Sequence, residues 1–239
     1  MGRAFEYRKA RKMKRWASMA KNFTKAGREI AIAVKEGGPD PEYNSRLRLA
    51  IQNAKAVNMP KTNIDNAIKR ASSKDAESYD ELRYEGYAPH GVAVIVETAT
   101  DNSNRTVANV RHIFSKYGGS LGTSGSVEYM FAHKGVFKVK NEGVDVEMLE
   151  LELIDHGLEE MKAEEEGNLA LYTEFEEYGA LQKGLEEQGI EVQSAELVWV
   201  PSHTKTLSEE EVEDVIKLLD KLEEDEDVIN VFHNMNEED

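Results

Sequence analysis

The chain has 239 residues, 40% of them hydrophobic, with no cysteine and a formal net charge of −16. That is enough apolar content for packed cores and too much for a disordered chain, and the length suggests two or three domains. Without cysteine there are no disulfides, thiolate zinc sites or cysteine nucleophiles, which suits a reducing cytoplasm. No apolar run approaches the ~20 residues needed to span a bilayer. The basic N-terminal residues lead into no apolar stretch, which argues against a secretory signal.

The charge is divided along the chain. Residues 1–74 hold 18 Lys/Arg against 6 Asp/Glu, and residues 75–239 hold 12 against 40. Between Arg3 and Arg28 ten residues are Lys or Arg and one, Glu6, is acidic. A cationic front on an anionic body points to a polyanion, because each Lys or Arg that meets a phosphate releases condensed counterions. The acidic body would be repelled by phosphate and so orient the molecule on it, or engage other factors.

In the first segment Arg8, Lys9, Arg11, Lys12, Lys14 and Arg15 are interleaved with Tyr7 and Trp16. Aromatic faces among cations suit stacking on unpaired bases; packing of Trp16 on the helices is the competing reading. Phe23, Ala26, Ile30, Ala33 and Val34 recur at helical spacing, so residues 18–36 read as an amphipathic helix that also carries Lys21, Lys25 and Arg28. Asn44 or Ser45 caps a second helix with Leu47, Ala50, Ile51 and Ala54 on one face and Arg46, Arg48 and Lys55 off it. Asn58-Met59-Pro60 breaks it. Thr62 and Asp65 then form a capping-box-like pair for a third helix, with Ile64, Ala67, Ile68 and Ala71 inward and Lys61, Lys69 and Arg70 outward. The short break resembles a helix-turn-helix, a weak signal in any small bundle. No Asn/Gln/Arg set stands out as reading base edges, so the expectation is contact with the phosphate backbone.

Ser72 to Asp80 reads as a linker. Leu82 to Tyr87 and Val92 to Val96 form a hairpin around Ala88-Pro89-His90-Gly91. Asn102 or Ser103 caps a helix bearing Val107, Val110, Ile113 and Phe114, which Gly118-Gly119 closes. Val127 to Phe131 reads as a strand. Asp101, Asn102, Asn104 and Arg105 form the densest polar cluster here, with Asn102, Asn104 and Arg105 as its candidate contacts. They either fix the loop and cap the helix or contact a phosphate or protein partner.

The run YEGYAPHGVAVIVETATDNSNRTVANVRHIFSKYGGSLGTSGSVEYMF strongly resembles the YebC family, as do NSRLRLAIQNAKAVNMPKTNIDNAIKRA and NFTKAGREI. Family members are usually called probable transcriptional regulators, and mitochondrial relatives activate translation of cytochrome c oxidase subunits. The opening Gly2-Arg3-Ala4-Phe5-Glu6-Tyr7 departs from the family's Gly-His-Ser-Lys-Trp-like start. The resemblance implies a cytoplasmic, nucleic-acid-associated protein without established enzymatic activity. It also implies a helical N-terminal domain and two α/β domains. For some members it implies action on the ribosome during difficult peptide synthesis.

In the acidic remainder, strand, helix, two strands, helix and strand follow one another from Gly135 to Val200, the order of a ferredoxin-like unit. A helix over Glu209 to Leu222 and a strand over Val228 to Phe232 close the chain. The expected class is therefore α+β multidomain: a basic helical domain over 1–74, a middle α/β domain over 82–132 plus 205–239, and an inserted ferredoxin-like domain over 133–204. The six histidines are scattered without metal-ligand spacing, and the glycines from Gly118 to Gly125 lack the Lys-Ser/Thr of a P-loop. No metal, cofactor or membrane partner is expected. The predicted function is a nucleic-acid-binding regulator acting on DNA, with a ribosomal RNA or ribosome target as the alternative. A hydrolytic enzyme using paired carboxylates is the third class, and nothing specific in the sequence asks for it.

Overall fold

The structure, a computed structural model, describes residues 19–73, 78–143, 145–164 and 167–236. The arm from Arg8 to Trp16 lies outside the described residues, and so does Tyr7.

Three helices come first: α1 (Met19–Gly37), α2 (Ser45–Ala56) and α3 (Lys61–Ala71). Their apolar stripes converge, so that Ile30, Ala33 and Val34 of α1 pack with Leu47, Ala50 and Ala54 of α2 and Ile64 and Ala71 of α3. Asn44 locks the first corner. Its side-chain oxygen accepts from the Leu47 N–H, and its amide donates to the carbonyls of Ala33 and Gly38. A Cβ on Gly37 would lie 2.7 Å from that Asn44 side chain, which explains the glycine. The expected Thr62–Asp65 capping box does not form. Pro60 itself is the N-cap, with no side-chain hydrogen bond, and Thr62 already lies inside the helix.

The first sheet has the order β3-β1-β2-β8, from β1 (Asp80–Ala88), β2 (Val92–Thr100), β3 (Ser120–Leu121) and β8 (Val228–His233). β1 and β2 pair antiparallel from Asp80↔Thr100 to Ala88↔Val92, and the connecting turn holds His90 at φ 60. Val92, Val94 and Val96 face the helices α4 (Ser103–Lys116) and α7 (Glu209–Glu224), against Val110, Phe114, Ile216 and Leu219. The helix and strand at the end of the chain thus complete the sheet begun by the hairpin.

The second sheet is built wholly from residues between β3 and α7. It comprises β4 (Phe131–Lys140), β5 (Leu158–Glu164), β6 (Asn168–Glu174) and β7 (Val192–Pro201) in the order β5-β6-β4-β7. All its pairs are antiparallel. With α5 (Val146–Ile154) and α6 (Tyr178–Glu187) over one face, this is the ferredoxin-like arrangement. Its core gathers Phe137, Leu149, Leu153, Leu171, Leu181 and Leu185.

Val127 to Phe131 differs from expectation. Glu128–Met130 is a 3-10 turn, and the strand starts at Phe131 and runs on through Lys140. The cause is Glu85. Its buried carboxylate accepts the N–H groups of Gly125, Val127 and Glu128 at 2.7–2.9 Å, and these donors are then lost to any ladder. The two sheets meet through Trp199, which packs with Ala93 and Ile95 and donates its indole N–H to Glu97 at 2.8 Å.

Candidate nucleic-acid interface

Charge at helical spacing shows which face of a helix is polar, but not what lies opposite. On α1 the cations face the protein's own body. Lys21 Nζ donates to the Glu224 carbonyl and Lys25 Nζ to the Ile229 carbonyl, each at 3.0 Å. Arg28 reaches the carbonyls of Ala99 and Glu226 and the carboxylate of Asp227. Two α2 cations are engaged as well. Arg46 bridges Glu36 and Glu81, each at 2.6 Å, and Arg48 pairs with Glu186 at 3.4 Å. Asn53 exchanges two hydrogen bonds with the Ala195 backbone. The helical bundle is thus tied to both sheets by its own polar groups.

Asp227 is the centre of the first tie. Only 3% exposed, it receives Arg28 from α1, Arg105 from α4 at 2.9 Å, and the hydroxyls of Thr100 and Thr106 at 3.2 and 2.8 Å. Burial pushes its carboxyl up, but the bonds from Arg105 and Thr106 outweigh this and hold it below the usual carboxylate range. Arg105 also pairs with Asp101 at 2.7 Å, and its guanidinium is raised above its ordinary value by the two carboxylates. Asn102 caps α4 by accepting from the Arg105 N–H. Of the three residues singled out for a partner contact, Asn104 alone is exposed without a side-chain bond among the described residues.

The cations left open to solvent lie elsewhere. Lys55, Lys61, Lys69 and Arg70 are exposed, and among the described residues their charged groups have no partner. Three belong to α3. On that helix Asn63, Asn66 and Arg70 stand at i, i+3 and i+7, one stripe of amide and guanidinium donors, with Lys69 beside it. They form one wall of a groove whose other wall is α1, through Phe23, Thr24 and Gly27. Such donors in such a row can bond phosphates or the edges of bases. Sequence reasoning picks out Lys69 and Arg70 but misses the two asparagines, although their spacing is visible in the sequence.

Glu29 of α1 is half-buried near Arg46, Glu81 and Glu196. Burial is the main reason its carboxyl is pushed up to about 7, with Arg46 opposing. Among the described residues no group of three or more His, Asp or Glu side chains could hold a metal ion, and no helix is long and apolar enough to cross a membrane.

A three-helix module with an open α2-turn-α3 corner, carried on two linked four-stranded α/β sheets, defines a class of multidomain α+β protein. Residues 3–74 match the family model for the TACO1/YebC protein N-terminal domain, and residues 79–235 match that for the TACO1/YebC second and third domain. The chain belongs to the TACO1/YebC family. It is 57% identical to a "probable transcriptional regulatory protein" of Flavobacterium johnsoniae, over all of both chains. It is 59% identical to one of Porphyromonas gingivalis, over all of this chain and 98% of the relative. The crystal structure of a conserved hypothetical protein from Aquifex aeolicus matches with a TM-score of 0.77 at 44% identity, covering 91% of this chain and 90% of that one.

Proposed function

We propose that this protein is a nucleic-acid-binding regulatory factor that acts on transcription, with DNA gripped by its basic N-terminal helices. The observation that carries the reading is α3, whose exposed Asn63, Asn66, Lys69 and Arg70 are joined to no other part of the described protein. The four-residue connection from α2 would set α3 against a groove as the second helix of a helix-turn-helix. The names of the relatives point the same way. In this reading residues 1–74 are the binding domain. Residues 82–132 with 205–239 are a middle domain, and residues 133–204 are an acidic insertion that stays off the phosphates. The site of action is the cytoplasm.

The reading makes the protein a binder and not an enzyme. The buried carboxylates Glu85 and Asp227 are saturated by backbone N–H groups, guanidinia and hydroxyls, which leaves neither to take a proton from a substrate. Ribosomal RNA is the alternative target, since the same cations and amides can meet an RNA backbone.

The deciding experiment is to crosslink the protein to nucleic acid in cells, recover it and sequence what is attached. Enrichment of promoter DNA supports the transcriptional reading. Enrichment of ribosomal RNA replaces it with the alternative. Recovery of neither, together with no binding to DNA or ribosomes at low salt, ends both.

A further inference from the structure

Helix α5 is apolar on two opposite sides. Leu149 and Leu153 are buried in the core of the second sheet. Met148, Leu151 and Ile154, spaced three apart, stand on the other side and are exposed by 52, 65 and 54%. They are three of the seven large apolar or aromatic side chains left exposed among the described residues, and they lie in one ridge. A contiguous apolar ridge on a folded surface marks a contact.

The flanks of the ridge identify the contact. Glu147, Glu150, Glu152 and Asp155 are all exposed, and among the described residues none of them is ion-paired. α5 contains no Lys or Arg. Two copies of this face laid together would oppose acid to acid on both flanks, so a second copy of the chain is a poor occupant. A nucleic acid is a worse one, because its phosphates would meet the same carboxylates. The face is complementary to a helix with its own apolar stripe and Lys or Arg on either side.

We propose that the outer face of α5 docks a basic amphipathic helix of another protein, with Met148, Leu151 and Ile154 as the apolar contact and the four acids as the charged rim. This goes beyond the nucleic-acid reading and is independent of it: it concerns the acidic insertion, and it stands whichever polynucleotide the N-terminal helices hold.

The test uses the full chain and a fluorescent model helix of about fifteen Leu and Lys residues in amphipathic order, followed by anisotropy. The same peptide with Glu for Lys is the control. The wild-type protein is expected to bind the Leu/Lys helix and not the Leu/Glu helix. Binding should weaken at least about 30-fold in M148Q/L151Q/I154Q, which loses three apolar contacts. It should weaken about 10-fold in E147Q/E150Q/E152Q, with a shallower salt dependence. All these sites are exposed, and unchanged thermal melting checks the fold. Should the triple apolar variant melt early, the single Leu151→Gln is read instead, with about a 5-fold loss expected. Equal binding by wild type and apolar variant would mean charge attraction alone and overturn the proposal. So would equal binding of both peptides, or no binding of the Leu/Lys helix. A wild-type dimer in sedimentation that M148Q/L151Q/I154Q makes monomeric would assign the ridge to self-association and overturn it as well.

Discussion

Arg28 of α1 and Arg105 of α4 meet on one carboxylate, that of Asp227, with Oδ1 3.1 Å from the first and Oδ2 2.9 Å from the second. Arg28 comes from a cationic stretch that suggests an outside partner, and Arg105 from a polar cluster for which a partner contact is one of two readings. Their shared anion instead joins the helical bundle to the first sheet. Removing Asp227 would take from two guanidinia and two hydroxyls the buried carboxylate they share, leaving Arg28 with the Ala99 and Glu226 carbonyls and Arg105 with Asp101. Asp227→Ala is therefore expected to lose about 3 kcal/mol of stability, at the lower end for a broken buried pair because Arg105 is half in solvent. Urea denaturation measures it. Arg28→Ala should cost less, because Arg105 remains on the carboxylate. An Asp227→Ala protein as stable as wild type would refute the assignment.

Glu85 supports a second prediction. Burial tends to raise its carboxyl, but the three N–H donors from Gly125, Val127 and Glu128 prevail and hold it below the usual range. A carboxyl depressed in the folded state adds stability that is complete above its unfolded pKa and disappears as pH falls through the folded pKa. Glu85→Gln turns a triple acceptor into a group that also donates. It should lower stability by about 2 kcal/mol at pH 7, and the difference from wild type should shrink as the solution is acidified. Thermal melts of both proteins from neutral to acid pH give the measurement.

Glu29 works in the opposite sense. Its carboxyl is raised from 4.5 to about 7 by burial, against the attraction of Arg46. Between these values the unfolded chain has already released the proton that the folded protein still holds, so stability falls as pH rises from 4.5 to 7. Above 7 the folded protein carries a partly desolvated charge at this half-buried site. Glu29→Gln should remove that slope and stabilise the protein by about 1–3 kcal/mol at pH 8. Urea midpoints at pH 5 and pH 8 would show it. A wild-type midpoint that does not fall between them would contradict the raised carboxyl of Glu29.

Much of the fold is visible in the sequence because its signals are local. The Ala88 to Gly91 turn, the Asn102 cap and the strand-helix order from Gly135 to Val200 each need only neighbouring residues. What escapes is long-range. Asp227 stands in the run Glu223-Glu224-Asp225-Glu226-Asp227 and reads as solvated surface, yet it is buried because α1 and α4 reach it from distant parts of the chain. Glu85 alternates with apolar neighbours as an outward strand position should, but a glycine-rich loop folds over it. Lys21, Lys25 and Arg28 read as a free cationic face because periodicity cannot show that carbonyls at the end of α7, in the turn after it and in β8 lie opposite. The stripe of Asn63, Asn66 and Arg70 is present in the sequence, but asparagines on a helix exterior look like ordinary surface until the neighbouring wall of α1 is seen.

The N-terminal cations divide into two groups that binding experiments can separate. Lys61, Lys69 and Arg70 are free, whereas Lys21, Lys25 and Arg28 are bonded to the body. Replacing the first three by Ala should weaken binding across unrelated DNA sequences and reduce the slope of log K against log salt by about 0.9 for each lost phosphate contact. Their thermal midpoint should not move. Replacing the second three should lower the midpoint and leave the slope almost unchanged. Ala at Arg11, Lys12, Lys14 and Arg15 should weaken binding and flatten the salt dependence as the α3 set does, if the arm is a phosphate contact too. Asn63→Ala and Asn66→Ala give the sharper outcome. Contacts to base edges are worth about 1–3 kcal/mol each and favour one sequence, so loss at the preferred site alone would make α3 a reader of sequence. Equal loss on every sequence would leave it as a backbone clamp. No loss from the two asparagines or the three α3 cations would remove this helix from the interface.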